Sequence, residues 1–186
     1  MKPVHKHGGQ LRAASEKYGI ALAEWLDLST GISPFVYPLP AVPASCWQRL
    51  PETGDGLEQA AANYYGSEYL LPVSGSQEAI QRLPLLRVNT GAVSRVGIIS
   101  PAYHSHQQAW VNAGHTVSEL AAADVADHLT DLDVLLLVNP NNPTTERFSR
   151  EQLLSWHQQL AQRGGWLVVD EAYICLLYTS PSPRDS

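Results

Sequence analysis

The sequence predicts an α/β fold in which a mostly parallel sheet carries helices on both faces. Short apolar runs alternate with segments of helical period, and the runs lie at residues 95–99, 115–120, 133–138 and 166–169. This alternation is typical of βαβ units, whose crossover helices place successive strands parallel to one another. The run at 133–138 (DVLLLV) is almost continuously apolar, as a strand buried on both faces requires.

Helix boundaries follow from capping residues and glycines. Helices are predicted at residues 9–18, 56–65, 103–113 and 149–163, and from about Ser76 onward. Ser149 and Gln152 have the spacing of a capping box, and the helix that they begin is followed by two glycines. Pro84 is expected to kink the helix that starts at Ser76. Residues 69–73 form a further apolar run, predicted to be a strand that leads into this helix.

Composition restricts the class of protein. The chain has 186 residues, of which 44% are apolar, enough for one sizeable core. The net charge of −6 argues against a global nucleic-acid-binding surface, and the longest aliphatic run, residues 134–138, is too short to cross a bilayer. The N-terminus has no apolar signal segment, and the two cysteines have no motif spacing. We therefore expect a cytoplasmic globular protein without a nucleic-acid or membrane partner.

Two polar motifs lie where the predicted strands end, which is the edge of an open α/β sheet that binds ligands. Residues 74–79 (SGSQEA) combine a glycine turn with a helix start, whose free N–H groups and dipole suit a phosphate; a plain helix cap is the alternative. In residues 100–110 (SPAYHSHQQAW), Tyr103 is positioned to lie against a planar ligand. His104 and His106 form an H-x-H pair, but no carboxylate or cysteine completes a ligand set, so no metal site is predicted.

Two further motifs follow later strands. Residues 138–146 (VNPNNPTTE) contain two Asn-Pro steps, which favour a rigid extended loop that holds Asn142 over the sheet edge, unless the loop is a simple turn. In residues 168–173 (VVDEAY), Asp170 ends an apolar strand and needs a cationic partner, such as a protonated ring nitrogen. The Tyr173 hydroxyl can return to the same place. A Walker-type ATPase also has Asp-Glu here, but its phosphate-loop lysine is missing. Together the four motifs indicate a pyridoxal-phosphate site.

The order of these motifs resembles the class I and II aminotransferases, which are fold-type I pyridoxal-phosphate enzymes, over residues 69–174. The resemblance implies a part of their large domain, with the cofactor bound by Gly75, Ser76, Gln77, Tyr103, Asn142, Asp170 and Tyr173. Backbone amides at Ser76 and Gln77 would hold the phosphate, and Tyr103 would stack on the ring. Asn142 and Tyr173 would bind the phenolic oxygen, and Asp170, supported by His106, would pair with the ring nitrogen.

The N-terminal part resembles a narrower branch of this family. Its motifs lie at residues 7–9 (HGG), 25–34 (WLDLSTGISP), 50–56 (LPETGDG) and 70–81 (LLPVSGSQEAIQ). They are similar to the branch that decarboxylates a small phosphorylated amino acid in cobalamin biosynthesis. The alternatives are a histidinol-phosphate-type aminotransferase and a non-catalytic cofactor-binding module. The resemblance implies that His7 approaches the substrate phosphate, that Gly31 and Ile32 pass over the substrate, and that the full-length protein is a homodimer.

Several positions depart from the family pattern. Thr145 stands where the family has glycine, and Ser33 where many relatives have asparagine. The family binds its cofactor covalently through a lysine beyond the position of Asp170, whereas the lysines here are Lys2, Lys6 and Lys17, so no catalytic lysine is assigned.

The segment 175–186 has no helical or strand period, which favours a tail foreign to the domain; a disordered tail is the alternative. We expect a substrate-covering segment at 1–40 and part of the cofactor-binding domain at 41–174. With neither the lysine nor a C-terminal small domain, the chain is expected to be an inactive fragment.

Overall fold

The computed structural model describes residues 8–30, 35–50, 52–88, 91 and 93–174. It divides into two compact units, Met1–Pro51 and Glu52–Ser186. His7, Gly31, Ile32 and the segment 175–186 lie outside the described residues. The substrate-covering role of the first segment stays a prediction.

The first unit contains one α-helix and two short 3₁₀ turns among its described residues. Helix α1 covers Leu11–Tyr18 and ends at Gly19, whose φ of 66° lies in the left-handed region and whose N–H donates to the Ser15 carbonyl. The predicted helix and its glycine stop are therefore confirmed. The 3₁₀ turns are Leu22–Glu24 and Ala44–Trp47. None of the described residues in this unit is buried.

The second unit is built on a four-stranded sheet of order β2-β1-β3-β4. The strands are β1 (Arg95–Ile99), β2 (Thr116–Leu120), β3 (Val134–Val138) and β4 (Trp166–Asp170). Every pairing is parallel, and all residues of β3 are buried. These findings confirm the strands that were predicted at these four places and their parallel arrangement.

The second unit contains five α-helices among its described residues, of which two precede β1 and three lie between successive strands. They are α2 (Leu57–Tyr65), α3 (Ser76–Val88), α4 (His104–Asn112), α5 (Val125–His128) and α6 (Arg150–Ala161). The Ser149 hydroxyl accepts a hydrogen bond from the Gln152 N–H at 3.3 Å and caps α6 as predicted. Helix α3 continues through Pro84. In the part of the chain that the structure describes, no helix has the length and apolar character to cross a membrane.

Both faces of the sheet are covered, because the side chains of β3 alternate between two apolar clusters. Leu135 and Leu137 belong to a cluster with residues of α5 and α6, among them Val125 and Leu160. Val134 and Leu136 belong to a second cluster, which contains Trp110 of α4. This alternation confirms the expectation of helices on both faces.

The predicted strand at residues 69–73 is wrong. This segment is irregular, and its side chains lie in solvent, with Tyr69 97% and Leu71 83% exposed. Among the described residues no strand pairs with it. A lone extended segment gains no ladder hydrogen bonds and buries no apolar face, so apolar composition by itself does not produce a strand.

Candidate active site

The carboxyl ends of β1, β3 and β4 place three of the four predicted motifs at one edge of the sheet, and the contact of Tyr103 with Gln77 links the fourth, residues 74–79, to them. In the β3–β4 ladder, Val138 lies opposite Asp170. The Asn139 N–H, one residue further, donates to the Asp170 carbonyl at 2.8 Å. The loop that carries Asn142 therefore leaves the sheet beside the carboxylate of Asp170.

Asp170 is paired with His106 inside this edge. His106 Nε2 lies 2.8 Å from Asp170 Oδ2, and only 4% and 14% of the two side chains are exposed. The Ala172 N–H donates to the other carboxylate oxygen at 2.9 Å. The hydrogen bond from His106 is the main cause that holds the pKa of Asp170 below its ordinary value, although burial opposes it. An ionised carboxylate only accepts hydrogen bonds, so His106 donates through Nε2.

Tyr103 links this pair to the start of α3. Its ring meets the His106 ring edge to face, with centroids 6.2 Å apart. Its hydroxyl donates to Gln77 Oε1 at 3.5 Å, a long hydrogen bond. Tyr103 is 44% exposed, so a planar ligand can still cover part of its ring.

The turn before α3 combines a glycine of positive φ with a helix start. Gly75 has φ +112°, which glycine adopts far more readily than any residue with a side chain. Helix α3 begins at the next residue, and the first N–H groups of a helix have no intrahelical acceptor. The amides of Ser76 and Gln77 belong to this first turn, as the predicted phosphate contact requires.

Glu78 and Ser74 support this turn and were not among the predicted site residues. The Glu78 carboxylate accepts from the Ser74 N–H at 3.0 Å and from its hydroxyl at 2.6 Å. These bonds lower the pKa of Glu78. The sequence signal that identifies the pair is a carboxylate at the third helix position, which reaches back over the helix start as in a capping box.

Asn142 and Tyr173 lie side by side, although they are distant in sequence. Asn142 Nδ2 donates to the Tyr173 hydroxyl at 2.9 Å. The loop that carries Asn142 is closed by Asn139, a buried residue whose Oδ1 accepts from the Phe148 N–H at 3.0 Å. Thr145, which stands where the family has glycine, has φ 60°, the left-handed conformation that favours glycine.

The structure therefore connects most of the predicted site residues. Gln77, Tyr103, His106 and Asp170 form one chain of contacts, and the Asn142–Tyr173 pair adjoins it through the β4 end. His7, Gly31 and Ile32 are outside the described residues. Their flanking segments do meet within the first unit, since the Gly9 N–H donates to Ser29 Oγ at 2.8 Å. Among the described residues no cluster of His, Cys, Asp and Glu could hold a metal ion.

The chemistry of this group fits pyridoxal phosphate. An ionised carboxylate that is nearly buried, such as Asp170, suits a protonated pyridine nitrogen. The Asn142–Tyr173 pair offers polar hydrogens to a phenolic oxygen, and Tyr103 offers an aromatic face. The helix start at Ser76 offers N–H groups to a phosphate. The assignment of each role stays a prediction.

A parallel α/β sheet with such a strand-end site defines the large-domain architecture of fold-type I pyridoxal-phosphate enzymes. The family model for aminotransferase class I and II matches residues 49–185. This chain therefore belongs to the class I and II aminotransferase family.

Within that family, this chain is similar in sequence to threonine-phosphate decarboxylases. A threonine-phosphate decarboxylase of Pseudomonas aeruginosa is 55% identical over 169 residues, which are 91% of this chain and 50% of that protein. Another, from Sinorhizobium sp., is 40% identical over 173 residues, 90% of this chain and 50% of that protein. The chain thus spans about half the length of the curated relatives that it matches. The crystal structure of L-threonine-O-3-phosphate decarboxylase from Porphyromonas gingivalis shares the fold, with a TM-score of 0.60 and 22% sequence identity. The superposition covers 70% of this chain and 40% of that chain.

Proposed function

We propose that this chain belongs to a pyridoxal-phosphate-dependent decarboxylase that acts on L-threonine O-3-phosphate, in cobalamin biosynthesis. The observation that carries the proposal is the ionised Asp170, held at the sheet edge by His106 at 2.8 Å. It occurs in a chain that is 55% identical, over 91% of its length, to a threonine-phosphate decarboxylase. The site supports the cofactor class, and the similarity supports the substrate.

The reaction breaks the bond between Cα and the carboxyl carbon. Carbon dioxide leaves, Cα takes up a proton from solvent, and the product is 1-aminopropan-2-ol phosphate. Pyridoxal phosphate, when bound, supplies an electron-accepting ring for the pair that this bond cleavage releases. The residues of this chain prepare the site for that chemistry.

Asp170 would hold a proton on the pyridine nitrogen of the bound cofactor, and this charge would make the ring a better electron acceptor. His106 keeps the carboxylate ionised and directs it, since its Nε2–H occupies one oxygen and the Ala172 N–H the other. Asn142 and Tyr173 would donate to the phenolic oxygen, and Tyr103 would offer its aromatic face to the ring. Ser76 and Gln77 hold the cofactor phosphate through their backbone amides and the Ser76 hydroxyl.

The family resemblance supplies the substrate contacts in this proposal. His7 binds the substrate phosphate, and Gly31 with Ile32 covers the substrate. The substrate in this proposal is a small phosphorylated amino acid. We also propose that the full-length protein is a homodimer.

The test uses the full-length protein with pyridoxal phosphate and L-threonine O-3-phosphate, and measures carbon dioxide together with the phosphorylated amino alcohol. Equal amounts of both products are expected. A parallel reaction contains histidinol phosphate and 2-oxoglutarate. Amino transfer without carbon dioxide would make the protein an aminotransferase, and cofactor binding with neither reaction would make it a binding module. The matched control for Asp170→Asn is Asp127→Asn, which makes the same chemical change at an exposed position of α5.

A further inference from the structure

The side chain of Asn141 joins two loops of the candidate site. Asn141 is only 6% exposed, and its Nδ2 donates to the Pro101 carbonyl at 2.8 Å and to Thr144 Oγ1 at 2.7 Å. Pro101 belongs to the loop after β1, and Thr144 to the loop after β3. One amide group therefore contacts both loops.

The sheet ladder does not hold these loops together. Strands β1 and β3 pair from Val96 opposite Val134 to Ile98 opposite Leu136. Beyond that ladder, the hydrogen bond from Asn141 to the Pro101 carbonyl connects the segment after β3 to the segment after β1. Tyr103 follows two residues after Pro101, and Asn142 follows Asn141 directly. The connection thus lies between two residues that the proposed function places against the same cofactor.

The backbone of Asn141 is itself held by its own loop. Its N–H donates to the Glu146 carbonyl at 2.9 Å, and its carbonyl accepts from the Thr145 N–H at 2.8 Å. Because the main chain of Asn141 is fixed in this way, its short side chain holds the loop after β1 in a defined position relative to the loop after β3. In an aspartate at this position, a carboxylate oxygen would face the Pro101 carbonyl, and repulsion would replace the hydrogen bond.

We propose that Asn141 is a positioning residue that sets the placement of Asn142 relative to Tyr103. The expected effect on cofactor affinity rests on the proposed function, because it requires that the site binds pyridoxal phosphate. The loop connection itself is a property of the protein without cofactor. The two parts are measured separately.

The first experiment compares Asn141→Asp in the full-length protein with the wild type and with Asn112→Asp, which makes the same atomic change at the exposed end of α4. Amide hydrogen exchange is followed in peptides covering residues 100–107 and 139–148, without cofactor. Faster exchange in both peptides of Asn141→Asp, and in neither of the control, is expected. A change confined to 139–148 would overturn the connection.

Cofactor affinity is then measured by titration with pyridoxal phosphate, followed by absorbance. A loss of at least tenfold, about 1.4 kcal/mol, is expected for Asn141→Asp, with no loss for Asn112→Asp. Unchanged affinity together with faster exchange would make Asn141 a merely structural residue and overturn the proposal. If the wild type bound no cofactor, the proposed function would fail, while hydrogen exchange would still decide whether the loops are connected.

A milder pair of variants covers the case in which Asn141→Asp does not fold. Thr144 is exposed, and Thr144→Val removes the Oγ1 that accepts from the Asn141 amide at 2.7 Å and, more weakly, from the Glu146 N–H at 3.4 Å. Thr144→Ser keeps that acceptor. We expect a severalfold loss of cofactor affinity for the valine variant and near wild-type affinity for the serine variant. Equal affinities for the two would contradict the proposal.

Discussion

Asp170 shows how neighbours decide the chemistry of a single residue. Burial alone raises the pKa of a carboxyl group, because it disfavours the charged form. Here the hydrogen bond from His106 outweighs that effect, and the Ala172 N–H adds to it, so the pKa lies below the ordinary value. The group is therefore ionised at neutral pH and ready to pair with a cation.

Replacing Asp170 by asparagine in the full-length enzyme tests this role. We expect the variant to fold and to lose several orders of magnitude in turnover of L-threonine O-3-phosphate, because an amide does not hold a proton on the ring nitrogen. Turnover is measured beside that of Asp127→Asn. Activity within about tenfold of the wild type, or roughly 1.4 kcal/mol of barrier, would show that Asp170 is not the partner of the ring nitrogen.

Replacing His106 by phenylalanine tests the cause of the low pKa. The variant loses the donor, so the pKa of Asp170 rises and the free energy of unfolding at neutral pH falls by about 1.5–3 kcal/mol, as for a lost hydrogen bond to a charged group. A depressed native pKa stabilises the fold above the unfolded value, near 3.9, and this contribution disappears as the pH falls through the native pKa.

The difference between wild type and His106→Phe should accordingly narrow in acid. Urea unfolding of the cofactor-free protein, repeated from neutral pH to below about pH 3.9, measures it. A difference that stays constant over this range would mean that lost packing against Tyr103, rather than the Asp170 bond, causes the destabilisation.

At the level of the element, the loop from Asn139 to Phe148 is specified by its asparagines. Asn139 closes its base, Asn141 reaches Pro101, and Asn142 reaches Tyr173. Thr145 takes the left-handed conformation without being glycine, which costs about 1–2 kcal/mol for a residue with a Cβ. A glycine at this position would adopt the same conformation at lower cost.

The turn before α3 also depends on one conformation, that of Gly75. No atom lies within 4 Å of a Cβ added there, so Gly75→Ala costs backbone strain and creates no clash. We expect a loss of about 1–2 kcal/mol in unfolding free energy and a clear loss of cofactor affinity, because the first-turn amides are redirected. Urea unfolding and cofactor titration measure the two effects.

Gly114→Ala provides the control for this turn. Gly114 also has a positive φ, +88°, and open space around its Cβ position, but it lies between α4 and β2. The Gly114→Ala variant should lose about as much unfolding free energy as Gly75→Ala and keep its cofactor affinity. Equal affinity losses in the two variants would show that the effect is global and that the turn is not a phosphate site.

On the scale of the whole molecule, the second unit owes its stability to a sheet that is covered on both faces. Leu135 and Leu136 are neighbours on β3, are almost fully buried, and belong to opposite clusters. We expect Leu135→Ala and Leu136→Ala to destabilise the protein by similar amounts, about 2–5 kcal/mol each, because each leaves a cavity. Urea unfolding measures both. A loss below about 1 kcal/mol for either one would mean that its face of the sheet is not packed.

Sequence reasoning succeeded where the information is local. Ser149 predicted the start of α6, Gly19 the end of α1, and the apolar run at 133–138 the buried strand β3. It failed at residues 69–73, where the apolar run has no strand to pair with among the described residues. Pairing is a property of the neighbours of a segment and is not encoded in its own composition.

The candidate site follows the same division. Sequence alone specifies which side chains follow which strands, because helical and strand periods and capping residues act within a few positions, and parallel strands must end at one edge. It does not specify contacts such as His106 with Asp170, 64 residues apart, or Asn141 with Pro101, 40 residues apart. Those contacts arise only when the strand order brings the ends of β1, β3 and β4 together. Both contacts are hydrogen bonds of 2.8 Å, and only tertiary packing places groups so far apart in sequence at that distance.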